Sequence, residues 1–289
     1  MDVIVLNAYL WKSRYKNKKG KWIYIQTDSG KESGARVCSA LSFWKIPKYF
    51  YHLQKGGHVS ALKSHLIDSQ NEPLGSDRWF SRFDINNFYG SVTRNKLVRA
   101  LKPLVGYERA SDIANCSLVA DPESSQKTLP FGFVQSPILA SIFLHNCYLG
   151  RELESLYASG DVNVTVFVDD IILSSSDKNA LVSATSRIVD AFEKSNLTKS
   201  RVKCGLVTKE LSAFNVLTDG SFLKLNDEKV EDFVSRLALS TVADGHNEFV
   251  VDGIVSYWDS ISDSQRKQCI KEVVLNIGRS RAGLLLNKQ

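Results

Sequence analysis

The stretch VTVFVDDIIL, residues 164–173, constrains the fold more than any other, because it sets two adjacent carboxylates, Asp169 and Asp170, inside sequence that is apolar on both sides. The flanks read as two short strands around a tight turn, with Val162, Val164, Val166 and Val168 on one face. An exposed turn would account for the two charges. If the pair is even half-buried, its members repel, and one holds a proton unless a cation neutralises it. A divalent ion is the natural partner: Mg2+ prefers carboxylate oxygens and substrate phosphates, and two such ions about 4 Å apart can hold the attacking and leaving oxygens of a phosphoryl transfer. Such a site needs a third carboxylate from another strand. Asp84 is the candidate, at the end of the apolar-aromatic strand WFSRF.

The rest of the chain suits a soluble fold that can bury a core in two or three subdomains, with 289 residues, 43% hydrophobic and 24% charged. No apolar run approaches the roughly 20 residues of a membrane span, and the first residues carry their basic groups after a short apolar stretch rather than before it. The expectation is therefore no signal peptide and no membrane. Five scattered cysteines without a C-x-x-C pair argue against a zinc site or a disulfide framework and for a reducing cytoplasm. Net charge is +6, unevenly spread: WKSRYKNKKGKW, residues 11–22, interleaves six basic residues with Trp11, Tyr15 and Trp22. Such a stretch suits a phosphate backbone with stackable bases, and equally a solvated basic loop.

Along the chain, DSGKESGAR reads as a Gly-containing turn and NEPLGSD as a loop, while residues 94–120 read as helical, followed by the loop ADPESSQK. SPILASIFLHNCYLGRELESLY reads as one helix, capped by Ser136, with Pro137 at its first position and Gly160 as its stop. Residues 177–196 give a second helix with Leu181, Ile188, Val189 and Phe192 on its apolar side, and VKCGLV a further strand. From about residue 222 the pattern is helical, in KVEDFVSRLALS and SQRKQCIKEVVLNIG.

FDINNFYGSV, LPFGFVQSPILAS and FVDDI, in that order, resemble motifs A, B and C of the reverse transcriptases, particularly the bacterial retron and defence-associated (unknown-group) enzymes. The resemblance covers about residues 30–225. It implies an α+β right-hand polymerase: fingers at 1–80 with 95–130 contributing, a palm with an antiparallel sheet at 81–221, and a helical thumb at 222–289. Asp84, Asp169 and Asp170 match the catalytic, metal-binding carboxylates, and the backbone carbonyl of Ile85 would complete one ion's shell. The implied ions are two Mg2+, with Mn2+ as a substitute.

Tyr89 matches the aromatic steric gate under the sugar of the incoming nucleotide, a place a core aromatic would also fit. Pro130, Gly132, Ser136 and Pro137 match motif B, and Phe131 stands where viral members often carry glutamine. Lys31 and Arg36 resemble the fingers' cations that grip the triphosphate. Lys203 sits where the family carries a lysine proposed to protonate pyrophosphate, and would otherwise be a surface lysine. Residues 214–226 resemble the primer-grip hairpin, reading Leu217, Thr218, Asp219, Gly220 where retrons have Val-Thr-Gly.

The implied activity is RNA-directed DNA synthesis from dNTPs, on a dedicated noncoding RNA template, in antiphage defence in the bacterial cytoplasm. RNA template, DNA product and dNTPs are the implied partners, with a protein partner or a homo-oligomer left open. The alternatives are a template-independent or protein-primed DNA polymerase on the same palm, an RNA-dependent RNA polymerase, and a non-catalytic RNA-binding subunit.

Overall fold

The computed structural model describes residues 10–18, 20–43, 57–67, 73–75, 77–123, 126–201, 204–242 and 248–261. The chain forms two compact units, each discontinuous in sequence: Met1–Gly56 with Ser81–Val207, and Gly57–Phe80 with Thr208–Gln289.

At the centre of the first unit lies the hairpin that the apolar flanks of the carboxylates predict. Strands Asn163–Phe167 and Asp170–Ser175 pair antiparallel, from Asn163 opposite Ser174 to Phe167 opposite Asp170. Strand Trp79–Asp84 lies against the other edge of Asp170–Ser175, which is therefore the central strand of three. Consecutive residues Ile171, Ile172 and Leu173 are at most 1% exposed, so both faces of that strand are covered, as its unbroken apolar run requires. Each such side chain contributes about 1.5–3 kcal/mol by leaving water. Helix Lys178–Lys194 packs Leu181, Ile188 and Phe192 into this core, and the Phe192 ring meets Phe83 at 5.8 Å. Asp177 caps it by accepting hydrogen bonds from the backbone N–H groups of Asn179 and Ala180.

Val168 does not continue the valine face. It occupies the turn with φ 58°, the left-handed region that a β-branched side chain normally avoids. A two-residue hairpin turn with positive φ at its first central position ordinarily takes glycine there, so the packed strands on both sides hold this one at a cost of about 1–3 kcal/mol.

Five local expectations are corrected. DSGKESGAR is the first part of helix Asp28–Phe43 rather than a turn. Its glycines are sites of close approach: a Cβ on Gly30 would fall 2.2 Å from the carbonyl oxygen of Leu10, and one on Gly34 2.3 Å from Oε1 of Gln135. Residues 94–120 are two helices, Arg94–Val105 and Tyr107–Ser117, separated by Gly106 at φ 82° and followed by the short strand Val119–Ala120, which pairs with Lys127–Thr128.

The single helix expected from Ser136 is also two, Ser136–Asn146 and Tyr148–Ser159, broken at the extended Cys147. The second helix starts tight against the first, since a Cβ on Gly150 would sit 2.1 Å from the carbonyl oxygen of Leu144. Gln135 takes the cap position, and Ser136 instead donates its hydroxyl to the carbonyl of Pro130 at 2.7 Å. VKCGLV is not a strand in its described part: Cys204 and Gly205 form a turn, and pairing begins at Thr208, which exchanges two backbone hydrogen bonds with Phe80.

The second unit contains helix His58–Lys63, a three-stranded antiparallel sheet of Leu211–Ala213, Val216–Thr218 and Lys224–Leu225, and helices Asp227–Val242 and Glu248–Asp259. The sheet's first turn places Phe214 and Asn215 both at positive φ, matching the twist of its strands. Phe233 and Trp258, both buried, hold the two helices together with ring centroids 5.5 Å apart. SQRKQCIKEVVLNIG lies outside the described residues.

Candidate active site

The strand and the hairpin bring Asp84, Asp169 and Asp170 together: one carboxylate oxygen from each lies within 4.8 Å of the others. The backbone is tied at the same place. Ile85 donates its N–H to the carbonyl of Asp169 at 3.0 Å, Ser200 donates to the carbonyl of Asp84 at 2.8 Å, and Asp84 donates to the sulfur of Cys204 at 3.2 Å.

Burial pushes the Asp170 carboxyl up to about 6, with the Arg82 guanidinium pulling it down and Asp169 and Asp84 adding to the rise. Burial also raises Asp169, Asp84 adds to that, and Lys21 and Arg82 oppose it. Two desolvated carboxylates beside a third are an oxygen-only donor set with excess negative charge, which fits a hard divalent cation and not a soft one.

A cleft of about 290 Å3 opens in the same unit. It is lined by the tip of the hairpin Trp11–Lys16/Trp22–Gln26, by Asn86, Asn87 and Gly90 after the Asp84 strand, and by Leu129, Pro130 and Phe131. Beside it the Tyr89 ring lies tilted against Phe131, centroids 4.6 Å apart, and meets Phe88 at 6.0 Å. Lys21 places its ammonium 4.8 Å from the Phe131 centroid. Burial, with the nearby charge of Asp169, drives the Tyr89 hydroxyl up to about 12, so it stays protonated at neutral pH.

The turn bearing Phe131 is clamped from behind. Tyr24 donates its N–H to the Phe131 carbonyl at 2.8 Å, and Gly132, at φ 100°, lies where a Cβ would be 2.2 Å from the Tyr24 oxygen. Gln26 accepts from the backbone of Val134 at 3.0 Å and donates to the carbonyl of Gly30 at 3.0 Å. Gln135, fully buried, reaches Cys116 and Ser117.

The other expected residues are placed as follows. Lys31 and Arg36 are both exposed on helix Asp28–Phe43, and Lys31 pairs loosely with Asp28 at 3.5 Å. Lys203 lies outside the described residues. Four residues escaped the sequence reading as members of the site. Lys21 was visible only as one charge in a basic stretch, Gln26 and Gln135 carry no pattern of their own, and Arg82 could have been found from the R-x-D spacing that puts it on the same strand face as Asp84.

The family described as "Reverse transcriptase (RNA-dependent DNA polymerase)" matches residues 38–239, more than two thirds of the chain. The chain belongs to the reverse transcriptase family. Reverse transcriptases are nucleotidyltransferases that use divalent metal, consistent with the three carboxylates. No curated protein matches the chain by sequence.

Among solved structures, the reverse transcriptase chain superposes with a TM-score of 0.50 on the RNA polymerase complex inside a double-stranded RNA virus, at 11% identity, covering 93% of this chain and 26% of that one. This places it in the polymerase fold, with mixed helices and antiparallel sheets. It is also similar to telomerase of Candida albicans with a fragment of telomeric RNA (TM-score 0.48, 9% identity, 92% of this chain, 55% of that one) and to apo telomerase of Candida tropicalis (0.47, 12%, 86%, 50%). The reverse transcriptase chain thus spans about half the length of these telomerases and a quarter of the viral polymerase. No described helix is long and apolar enough to cross a membrane.

Proposed function

We propose that the protein is an RNA-directed DNA polymerase that extends a 3′-hydroxyl with dNTPs, using Asp84, Asp169 and Asp170 to hold two Mg2+ ions, or Mn2+ in their place. The observation that carries this reading is the convergence of the three carboxylates within 4.8 Å, in a chain of the reverse transcriptase family. The ions, when bound, activate the attacking hydroxyl and steady the leaving pyrophosphate. The carboxylates hold them, with the Ile85 carbonyl as a further oxygen.

Tyr89 forms the floor under the sugar and leaves no room for a 2′-hydroxyl. Phe131 and Gly132 border the nucleotide, and Lys21 at the cleft tip joins Lys31 and Arg36 as cations for the triphosphate. Lys203 is the proton donor to pyrophosphate. Fingers are assigned to 1–80 with 95–130, palm to 81–221 and thumb to 222–289. The biological setting is the bacterial cytoplasm and antiphage defence of the retron or unknown-group kind, with a dedicated noncoding RNA as template, supported by the joint pattern of FDINNFYGSV, LPFGFVQSPILAS and FVDDI.

Primer extension on RNA with dNTPs and Mg2+ tests the chemistry. Asn at Asp84, Asp169 or Asp170 abolishes synthesis while the protein stays folded by circular dichroism; full incorporation by the Asp169→Asn, Asp170→Asn protein would refute the site. RNA copurified from the native host tests the template, and a random population would count against a dedicated one.

A further inference from the structure

Arg82 stands two residues before Asp84 on one strand, so both side chains leave the same face of the sheet. Its guanidinium donates from Nε at 2.8 Å and from Nη2 at 2.5 Å, and both bonds end on the same oxygen of Asp170, Oδ1. The pair is mostly sheltered, with Asp170 14% and Arg82 33% exposed. The contact is thus not the parallel fork in which arginine occupies both oxygens of a carboxylate. It commits Oδ1 and leaves Oδ2 as the oxygen that an ion can take without displacing the guanidinium. Arg82 is fixed from its backbone too, since its carbonyl accepts the N–H of Gly205 at 2.8 Å.

We propose that Arg82 is a positioning residue that serves as a built-in countercharge: it holds the Asp170 carboxylate aimed while the metal is away, and by its own charge keeps the ion's grip on Asp170 weak. This rests on the metal-site reading above. Three carboxylates crowded at one point repel, and a permanent cation bonded to one of them relieves that repulsion before any ion arrives. Once an ion is present the same guanidinium is a like charge a few ångströms away, and in a half-sheltered setting that repulsion is substantial. The consequence is a site assembled in advance whose ion exchanges readily, so that a cation can leave with pyrophosphate at each nucleotide addition. An arginine that only braced the sheet would stabilise the protein equally with and without metal.

The test uses the full chain, as wild type, Arg82→Gln, Arg82→Lys and Asp170→Asn, with Mn2+ as the probe. Thermal unfolding is followed in chelator and in Mn2+, and Mn2+ binding is measured by electron paramagnetic resonance. Arg82→Gln should melt below wild type in chelator, recover most of that loss in Mn2+, and bind Mn2+ about tenfold more tightly. Arg82→Lys, which keeps the charge but loses the paired donors, should fall between, and it carries the test if Arg82→Gln does not fold. In an Asp170→Asn background the Arg82→Gln change should cost no further stability in chelator. An equal loss with and without Mn2+, or unchanged Mn2+ affinity, overturns the proposal and leaves Arg82 a structural brace. A wild type that neither binds Mn2+ nor is stabilised by it overturns the metal-site reading itself, and this proposal with it.

Discussion

Asp170 shows how a single position can carry a pH dependence that only metal hides. Its folded value is about 6, above the ordinary carboxylate value of 3.8, because burial penalises its charged form more than Arg82 favours it. A group raised on folding stabilises the protein below its unfolded value, and that contribution is lost as pH rises through its folded value. Metal-free protein should therefore melt lower at about pH 7.5 than at about pH 5 on account of this group, with Asp169 acting in the same direction. Divalent cation should remove the loss at the higher pH, and Asp170→Asn should flatten the metal-free slope, both read from melting curves across that window.

Tyr89 makes a second prediction. Its ring packs against both Phe88 and Phe131, contacts that would hold it in place as the proposed gate under the sugar. Tyr89→Ala should raise rNTP incorporation relative to dNTP by about 10- to 100-fold, measured as the ratio of kcat/KM values. An unchanged ratio would assign Tyr89 to packing alone. The carboxylates were legible in sequence because two charges inside an apolar run have few explanations. Arg82 was not, because arginine on a strand is ordinary until one sees which oxygen it binds.

Among the elements, the carboxylate hairpin and the helix at 177–196 were readable, whereas the hairpin Trp11–Lys16/Trp22–Gln26 and the breaks within the other helical stretches were not. A strand pair writes its own register in local apolar alternation, and the segment from Asn163 to Ser175 shows it. The helix Asp28–Phe43 instead contains glycines that look like turn residues, and their purpose depends on Leu10 and Gln135, which are distant in sequence or belong to another element. The break at Cys147 is equally silent, since helical spacing of apolar residues continues across it. Gly150 marks it only through its approach to the Leu144 carbonyl. Gly150→Ala should accordingly cost on the order of 2 kcal/mol, far beyond what alanine would gain in helix propensity, and a denaturant midpoint measures it. A neutral or stabilising effect would mean the two helices are not held at this contact.

Across the whole molecule, the net charge of +6 is small, and its placement matters more than its size. The hairpin Trp11–Lys16/Trp22–Gln26 displays Arg14 and Lys16 stacked on Trp22, with Tyr15 52% exposed. A guanidinium spread over a ring still offers its N–H donors to phosphate, which favours the nucleic-acid reading of this stretch, while Lys16 also pairs with Glu123 at 3.0 Å, a contact that a phosphate would replace. If it contacts a single strand, removing Arg14 and Lys16 together should lower the slope of log affinity against log salt by about 0.7 per lost phosphate contact, whatever the RNA sequence. Filter binding at several salt concentrations gives the slope, and an unaltered slope would make the hairpin a solvated surface.

The interleaving of the two units also sets a timetable on the ribosome. The first unit cannot close until residues up to Val207 exist, and Asp84 must wait for Asp169 and Asp170 to be translated before its carboxylate has both neighbours of the cluster. At about 5–20 residues per second that delay lasts roughly 4–17 s. During it the nascent strand Trp79–Asp84 has no sheet to join, so a chaperone that shields apolar edges has its clearest opportunity there.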